Sequence, residues 1–166
     1  MKNKASAKKR LMFIQKEDYN YLAYNLLILL DTLGCSNSSK KFRDFRKIAY
    51  LVDFINEGGD VKRYDQRDLG IIYSRAQIKK KLLHHLLVIL KNKGYIGLDL
   101  NTTYRSIDVW INKQNIPKDF FDKEVFKKEI ENINQLKTQV WSLKAGNMKD
   151  LTDKIFKENN ILTWEI

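Results

Sequence analysis

The spacing of apolar residues divides this chain into helices and one pair of strands. Over residues 17–33 the apolar positions Tyr19, Tyr21, Leu22, Tyr24, Leu26, Leu27, Leu29, Leu30 and Leu33 surround the helical circumference. A helix apolar on all sides is buried on several of them, by its own domain or by a partner. Phe42, Phe45, Ile48, Ala49, Val52 and Ile55 then recur at three- and four-residue intervals, which predicts a second helix over residues 41–57. The stretch GCSNSS at 34–39 reads as a tight connection between the two, and Gly58-Gly59 ends the second.

A short helix is expected over residues 66–74 and a long one over 77–93, stopped by Gly94. The pattern then changes period. YIGLDL places Ile96, Leu98 and Leu100 on one face, NTTYR supplies a turn, and SIDVWI alternates again through Ile107, Val109 and Ile111. Period-two alternation on both sides of a polar turn predicts a β-hairpin. Helix, turn, helix, hairpin is the order of a winged helix.

From Pro117 a charge-balanced helical section follows, with Val125, Ile130, Leu136 and Leu143 near one face. A break at Ala145-Gly146-Asn147 leads to a short helix over 148–158, and the final ILTWEI reads as an edge strand or a docking tail. The expected fold is therefore mainly α with a small β-hairpin: a winged helix-turn-helix core with extra N- and C-terminal helices. Residues 1–15 form a basic arm expected to be flexible. Residues 16–166 form a single domain, with the core at about 60–115 and the C-terminal helical section at 117–166.

Charge adds a direction to this plan. The chain carries 31 Lys and Arg against 20 Asp and Glu, a net charge of +11, and residues 116–166 hold nine of each sign. All the excess lies in the first two-thirds, which suits a polyanion such as DNA or RNA, or an acidic protein surface. A lysine-rich proteome of low GC content is the plainer source of such a balance. The single Cys35 excludes an internal disulfide framework and a four-cysteine zinc site. The N-terminal apolar run is too short for a signal peptide, and no stretch is long enough to span a bilayer, so a cytoplasmic protein without membrane attachment is expected.

The stretch IKKKLLHHLL at 78–87 holds three lysines and the only two histidines. Adjacent helical residues point about 100° apart, so His84 and His85 cannot readily clamp one ion, and no third ligand accompanies them. Projected around a helix, Ile78, Leu82, Leu83, Leu86, Leu87, Ile89 and Leu90 fill half the circumference. Lys80, Lys81, His84 and Lys91 fill the other half, with Val88 among them. From Arg75 to Lys93 there are six Lys or Arg and no acid, so this is a packed helix with a basic outer face in the recognition-helix position.

Lysine supplies charge more than base readout, and weakly specific phosphate contact is expected. Its candidate contacts are Arg75, Lys79, Lys80, Lys81, His84 and Lys91, the cluster Arg43, Arg46 and Lys47 at the predicted start of the second helix, and Arg105 in the hairpin turn. A solvated basic face with an ordinary turn is the alternative. Phosphate-binding loops, GxGxxG, GxSxG and HExxH are all missing. No catalytic residue, cofactor or metal is expected, and the chain reads as a non-enzyme.

The succession NLLILLDTLG (25–34), KFRDFRKIAYLVDFI (41–55) and the hairpin after LLVILKNKGYI resembles the middle component of the bacterial ABC three-component systems, which include Lamassu. The resemblance covers roughly residues 19–145 and rests on hydrophobic and charge pattern. It implies two N-terminal helices, a winged-helix core and a helical tail. It also implies an accessory subunit that joins a coiled-coil SMC-like ABC ATPase to a nuclease effector, in defence against phage or plasmids. ATP hydrolysis and cleavage would belong to those partners. Tyr19 and Leu22 of the first helix, Val88, Trp141 and Trp164 become the partner-facing candidates. An autonomous winged-helix DNA binder, a transcription regulator or replication initiator, is the other reading of the same residues.

Overall fold

A computed structural model describes residues 19–164. The basic arm assigned to residues 1–15 lies outside the described residues, as does the expected start of the first helix at residues 17–18. The first helix, α1, is helical over residues 19–32, and α2 spans Lys47–Glu57. α3 spans Gln66–Asn92, and the hairpin is β1 (Ile96–Asn101) with β2 (Ser106–Ile111). α4 (Lys127–Gln139) and α5 (Met148–Ile155) complete the order. The architecture is mainly helical with one two-stranded antiparallel sheet.

α2 is the centre of the molecule. Every residue from Lys47 to Ile55 is buried, and the helix packs against α3, α4 and α5. Its C-terminal end is fixed by α4: the Asn132 amide donates to the Ile55 carbonyl at 2.8 Å. A Cβ on Gly59 would strike the Asn132 backbone, so only glycine lets the two chains approach this closely. α1 buries Leu22 and Leu26 to Leu30 in the same core while Tyr21 and Tyr24 stay exposed.

The second helix starts later than its periodicity predicts. Residues 41–46 instead run along β2: Phe42 and Val109 exchange both backbone hydrogen bonds, at 2.7 and 3.0 Å, and the Phe45 amide donates to Ile107 at 2.9 Å. Phe42 and Phe45 are buried as expected, but from an extended segment. A straight strand would put residues three apart on opposite faces; the left-handed Asp44 between them, at φ 59°, turns the chain so that both rings reach the core.

The break expected between residues 74 and 77 is absent, and α3 is continuous. Ser74-Arg75-Ala76 contains no helix breaker, and Tyr73, Ala76 and Gln77 are all buried, so packing holds the junction helical. At ~1.5 Å per residue α3 is about 40 Å long. Asp65 caps it, accepting from the Asp68 amide at 2.8 Å, and Gly94 closes it in the left-handed region at φ 76°.

The hairpin forms where it is expected, paired from Ile96 opposite Ile111 to Asn101 opposite Ser106, so that Asn101 of the expected turn belongs to β1. Its faces are less simple than the alternation implies. Leu100 near the tip is 78% exposed, whereas Asp108 on the polar phase is buried and accepts from the Asp44 amide at 2.9 Å. The final segment is a docking tail: the Tyr73 hydroxyl donates to the Trp164 carbonyl at 2.6 Å and accepts from its amide at 2.8 Å. No helix among the described residues is long and apolar enough to cross a membrane.

Candidate nucleic-acid interface

Helix α3 carries Gln77, Lys80, Lys81 and His84 at three-, four- and seven-residue offsets, which puts them on one face. The hairpin stands opposite with Leu100, Asn101, Thr102, Arg105, Ser106 and Ile107. Between them lies a cleft of about 610 Å³ whose floor includes Phe45, Arg46 and Met148. The cations come from three separate parts of the chain: α3, the hairpin turn and the foot of α2. No carboxylate lines the cleft among the described residues.

Several of these side chains are positioned by an identifiable cause. Asp44 sits at φ 59°, a left-handed conformation that Asp tolerates better than most residues. Its fully buried carboxylate accepts from Arg46 Nε and Nη2, both at 2.8 Å, and from the Met148 amide at 3.1 Å. Arg46 is thereby anchored at the foot of the cleft. The Lys80 ammonium lies 5.4 Å from the centre of the Tyr50 ring, and the exposed His84 ring stands edge-on to Phe45 at 4.9 Å. Arg105, at φ 50°, closes the hairpin turn.

Arg46, Lys80, Lys81, His84 and Arg105 are thus brought together from the predicted contacts. Arg43 lies along the same hairpin, its guanidinium 5.4 Å from the Tyr104 ring centre. Lys79 and Arg75 line a different cleft of about 510 Å³ with Tyr21 and Asp53. Lys79 is held there by an ion pair with Asp53 at 2.6 Å. Lys91 is exposed in the last turn of α3 and does not line the α3–hairpin cleft.

Lys47 must be removed from the candidate surface. It is fully buried, donating to the main-chain carbonyls of Leu143 at 2.6 Å and Lys144 at 3.3 Å, with its ammonium 4.2 Å from the Phe42 ring centre. Burial lowers its pKa to about 7, against the opposing pull of Asp44. The lysine was assigned to the surface because the sequence placed it in a run of cations. It is buried with every other residue from 47 to 55, because this part of α2 is surrounded by its neighbours and has no outward side.

The partner-facing candidates also divide. Leu22 is buried in the core, a correction to its expected exposure, and Tyr19 is half-buried. Val88 is exposed, Trp141 is 97% exposed, and Trp164 is partly exposed with its ring set against Tyr73 at 4.7 Å. Cys35 is buried, and burial pushes its thiol up to about 11, so it is held as the unreactive thiol.

Two polar side chains in the cleft are not among the contacts expected from the sequence. Gln77 and Ser106 are each 7% exposed, and Gln77 Oε1 and Ser106 Oγ have no hydrogen-bond partner among the described residues. Gln77 stood at the expected start of a helix and Ser106 at the end of a turn, where both residue types are ordinary. A second omission was Lys41, whose ammonium lies 2.9 Å from Asp99 and 3.7 Å from Asp108. It neutralises the acidic residues of the hairpin and leaves the basic face less opposed.

Compared with protein-family models, curated proteins and solved structures, the chain has no match. The chemistry of the cleft is what bears on its function.

Proposed function

We propose that this chain is a non-catalytic, cytoplasmic adaptor of winged-helix type that lays the α3–hairpin face on DNA within an SMC-like ATPase and nuclease defence complex. The expected helix pair, 66–74 and 77–93, is the single helix α3, so in this reading α2 takes the place of the first helix, α3 is the recognition helix and the hairpin the wing. The observation that carries it is the convergence of Lys80, Lys81, Arg105 and Arg46 on one cleft without a lining carboxylate. Phosphate oxygens suit such a rim, and a contact made to the backbone through charge is salt-dependent and weakly specific.

The adaptor part of the reading rests on the family resemblance in helix pattern and on the apolar groups left at the surface. Trp141, almost fully exposed between α4 and α5, is an aromatic of the kind that anchors protein interfaces. Val88 lies on α3 one turn beyond the cleft-lining His84, whereas Trp141 stands outside the cleft lining altogether. DNA and a protein partner can therefore be held by different parts of the chain.

The test is affinity purification from the native host with identification of co-purifying proteins, followed by DNA retention of the purified assembly. A coiled-coil ATPase and a nuclease-like protein in fixed ratio are expected, with retention lost in the double variant Lys81→Glu, Arg105→Glu. If the chain instead elutes alone and tightly binds one DNA sequence in moderate salt, it is an autonomous regulator. Retention unchanged by the double variant would remove the cleft from the DNA contact.

A further inference from the structure

We infer that two copies of this chain pair antiparallel along the outer stripe of α3, about a two-fold axis level with residue 80. The pairing goes beyond the proposed DNA contact and does not depend on it.

Besides its core side and its hairpin side, α3 presents a third. Ile71, Arg75, Ile78, Leu82, His85 and Ile89 follow one another at alternating steps of four and three residues. That is the repeat by which one helix packs along another, and it keeps all six within about 80° of the circumference. Ile72 and Leu90, buried in the core, lie about 120° to one side of Ile78, and the cleft-lining His84 about 120° to the other. Ile71, Ile78 and Ile89 are exposed, Ile78 by 67%, and Leu82 is half-buried. Three depressions follow one another along this edge of the helix. The first, of about 320 Å³, holds Ile71 and Arg75; the second, of about 510 Å³, holds Arg75, Ile78 and Leu82; the third, of about 380 Å³, holds Ile89 and Lys93. From Asp68 to Lys93 the groove is about 37 Å long at ~1.5 Å per residue, the scale of a docked helix rather than of a small molecule.

The order of residues along the stripe selects a second α3 as the occupant. Ile71 and Ile89 each lie nine residues from residue 80, and Ile78 and Leu82 each lie two. An antiparallel copy therefore sets Ile71 on the partner's Ile89 and Ile78 on the partner's Leu82, each contact made twice. Arg75 faces the partner's His85, whose ring nitrogen can accept from the guanidinium. The groove is also polarised in charge. Glu57 and Asp68 line its first depression, where they outnumber Arg75, and Lys93 lines the last with no acid among the described residues. Antiparallel pairing brings each acidic end to a basic one, whereas a parallel pair would set Arg75 on Arg75 and Lys93 on Lys93. Tyr21, exposed on α1, lines the middle depression beside Ile78 and is covered in the same pairing.

The test is sedimentation equilibrium of the full chain without DNA, from about 1 to 100 μM, which resolves a dimer of micromolar Kd. A monomer–dimer equilibrium is expected. Ile78→Glu places a charge on each side of the centre and should weaken the dimer by at least about tenfold. The same variant should still bind DNA, because Ile78 stands outside the hairpin cleft. Lys93→Glu and Asp68→Lys should each weaken the dimer by about two- to tenfold, and the double variant should restore it. Each reversal alone opposes like charges, and the two together re-form the pair. All three positions are exposed, so the variants should melt close to the parent. A monomer throughout the range, with DNA binding intact, overturns the pairing and leaves the DNA face standing; a dimer that binds no DNA sinks the DNA face alone. A dimer indifferent to Ile78→Glu overturns the pairing by placing the contact elsewhere. A dimer that Ile78→Glu disrupts and the double charge reversal does not restore overturns the antiparallel alignment. If the parent is monomeric and Ile78→Glu instead abolishes recovery of the co-purifying assembly, the groove takes a helix of another protein and the second copy is excluded.

Discussion

Lys47 and Leu143, 96 residues apart, are joined by a hydrogen bond of 2.6 Å from a buried ammonium to a main-chain carbonyl. The contact ties the start of α2 to the turn after α4, and it makes stability depend on pH. The lysine has an ordinary value of 10.5 and about 7 in the fold. Between those values the unfolded chain holds a proton that the folded chain does not, so stability rises with pH from about 7, by about 1 kcal/mol per unit. Cys35, raised from 9.0 to about 11, acts in reverse: above 9 the unfolded chain loses a proton first. Tyr64 and Tyr73, both also raised by burial, add to that loss. Urea unfolding should therefore show stability climbing from pH 7 to 9, levelling, then falling. Lys47→Met should abolish the climb; a climb of equal slope in that variant would exclude Lys47 as its cause.

Asp44 is the second buried charge on which the site depends. Its carboxylate holds Arg46 and the Met148 amide while its own amide is held by Asp108. Asp44→Ala leaves the positive φ, removes every side-chain acceptor and frees Arg46 in the cleft floor. A loss of about 2–4 kcal/mol is expected by denaturant titration. Asp44→Asn, which tolerates the same backbone conformation, should recover part of it. Equal loss in the two variants would mean that the charge alone matters.

The elements were legible where chemistry and period agreed. Gly94 and the alternation on either side of residues 101–105 marked out the hairpin. The 41–46 segment was not legible, because Phe42 and Phe45 satisfy a helical spacing while their backbone pairs with β2, a contact more than sixty residues away. Lys47 and Lys79 were misplaced for a related reason. A lysine run marks charge, but which members turn inward depends on helix phase and on acids elsewhere, Asp44 and Asp53.

Lys79 and Lys81 are neighbours in one basic run yet should respond differently to mutation. Lys79 pairs with Asp53 at 2.6 Å, and the other oxygen of that carboxylate, Asp53 Oδ2, is buried without a partner among the described residues. Lys79→Ala should therefore cost stability, about 1–3 kcal/mol, with little change in DNA affinity of the folded fraction. Lys81→Ala should leave the melting temperature nearly unchanged and reduce the salt dependence of DNA binding by about one counterion. Melting curves beside a salt titration of binding separate the two. A reversed assignment of the two effects would move the DNA face from the hairpin side of α3 to the Asp53 side.

Trp141 is the sharpest test of the adaptor reading because its two readouts are independent. Its ring is 97% exposed, so Trp141→Ala should change the stability of the isolated chain by no more than about 0.5 kcal/mol. An indole left in water at a turn has no role in the core, whereas buried under a partner it would contribute like a central interface aromatic, about 2 kcal/mol or more. Truncation should therefore reduce recovery of the co-purifying assembly by at least roughly tenfold in affinity while the variant melts like the parent. DNA binding by the isolated chain should be unaffected, since Trp141 does not line the α3–hairpin cleft. Recovery of an unchanged assembly would place the protein-binding surface elsewhere, with Val88 on α3 the next residue to truncate.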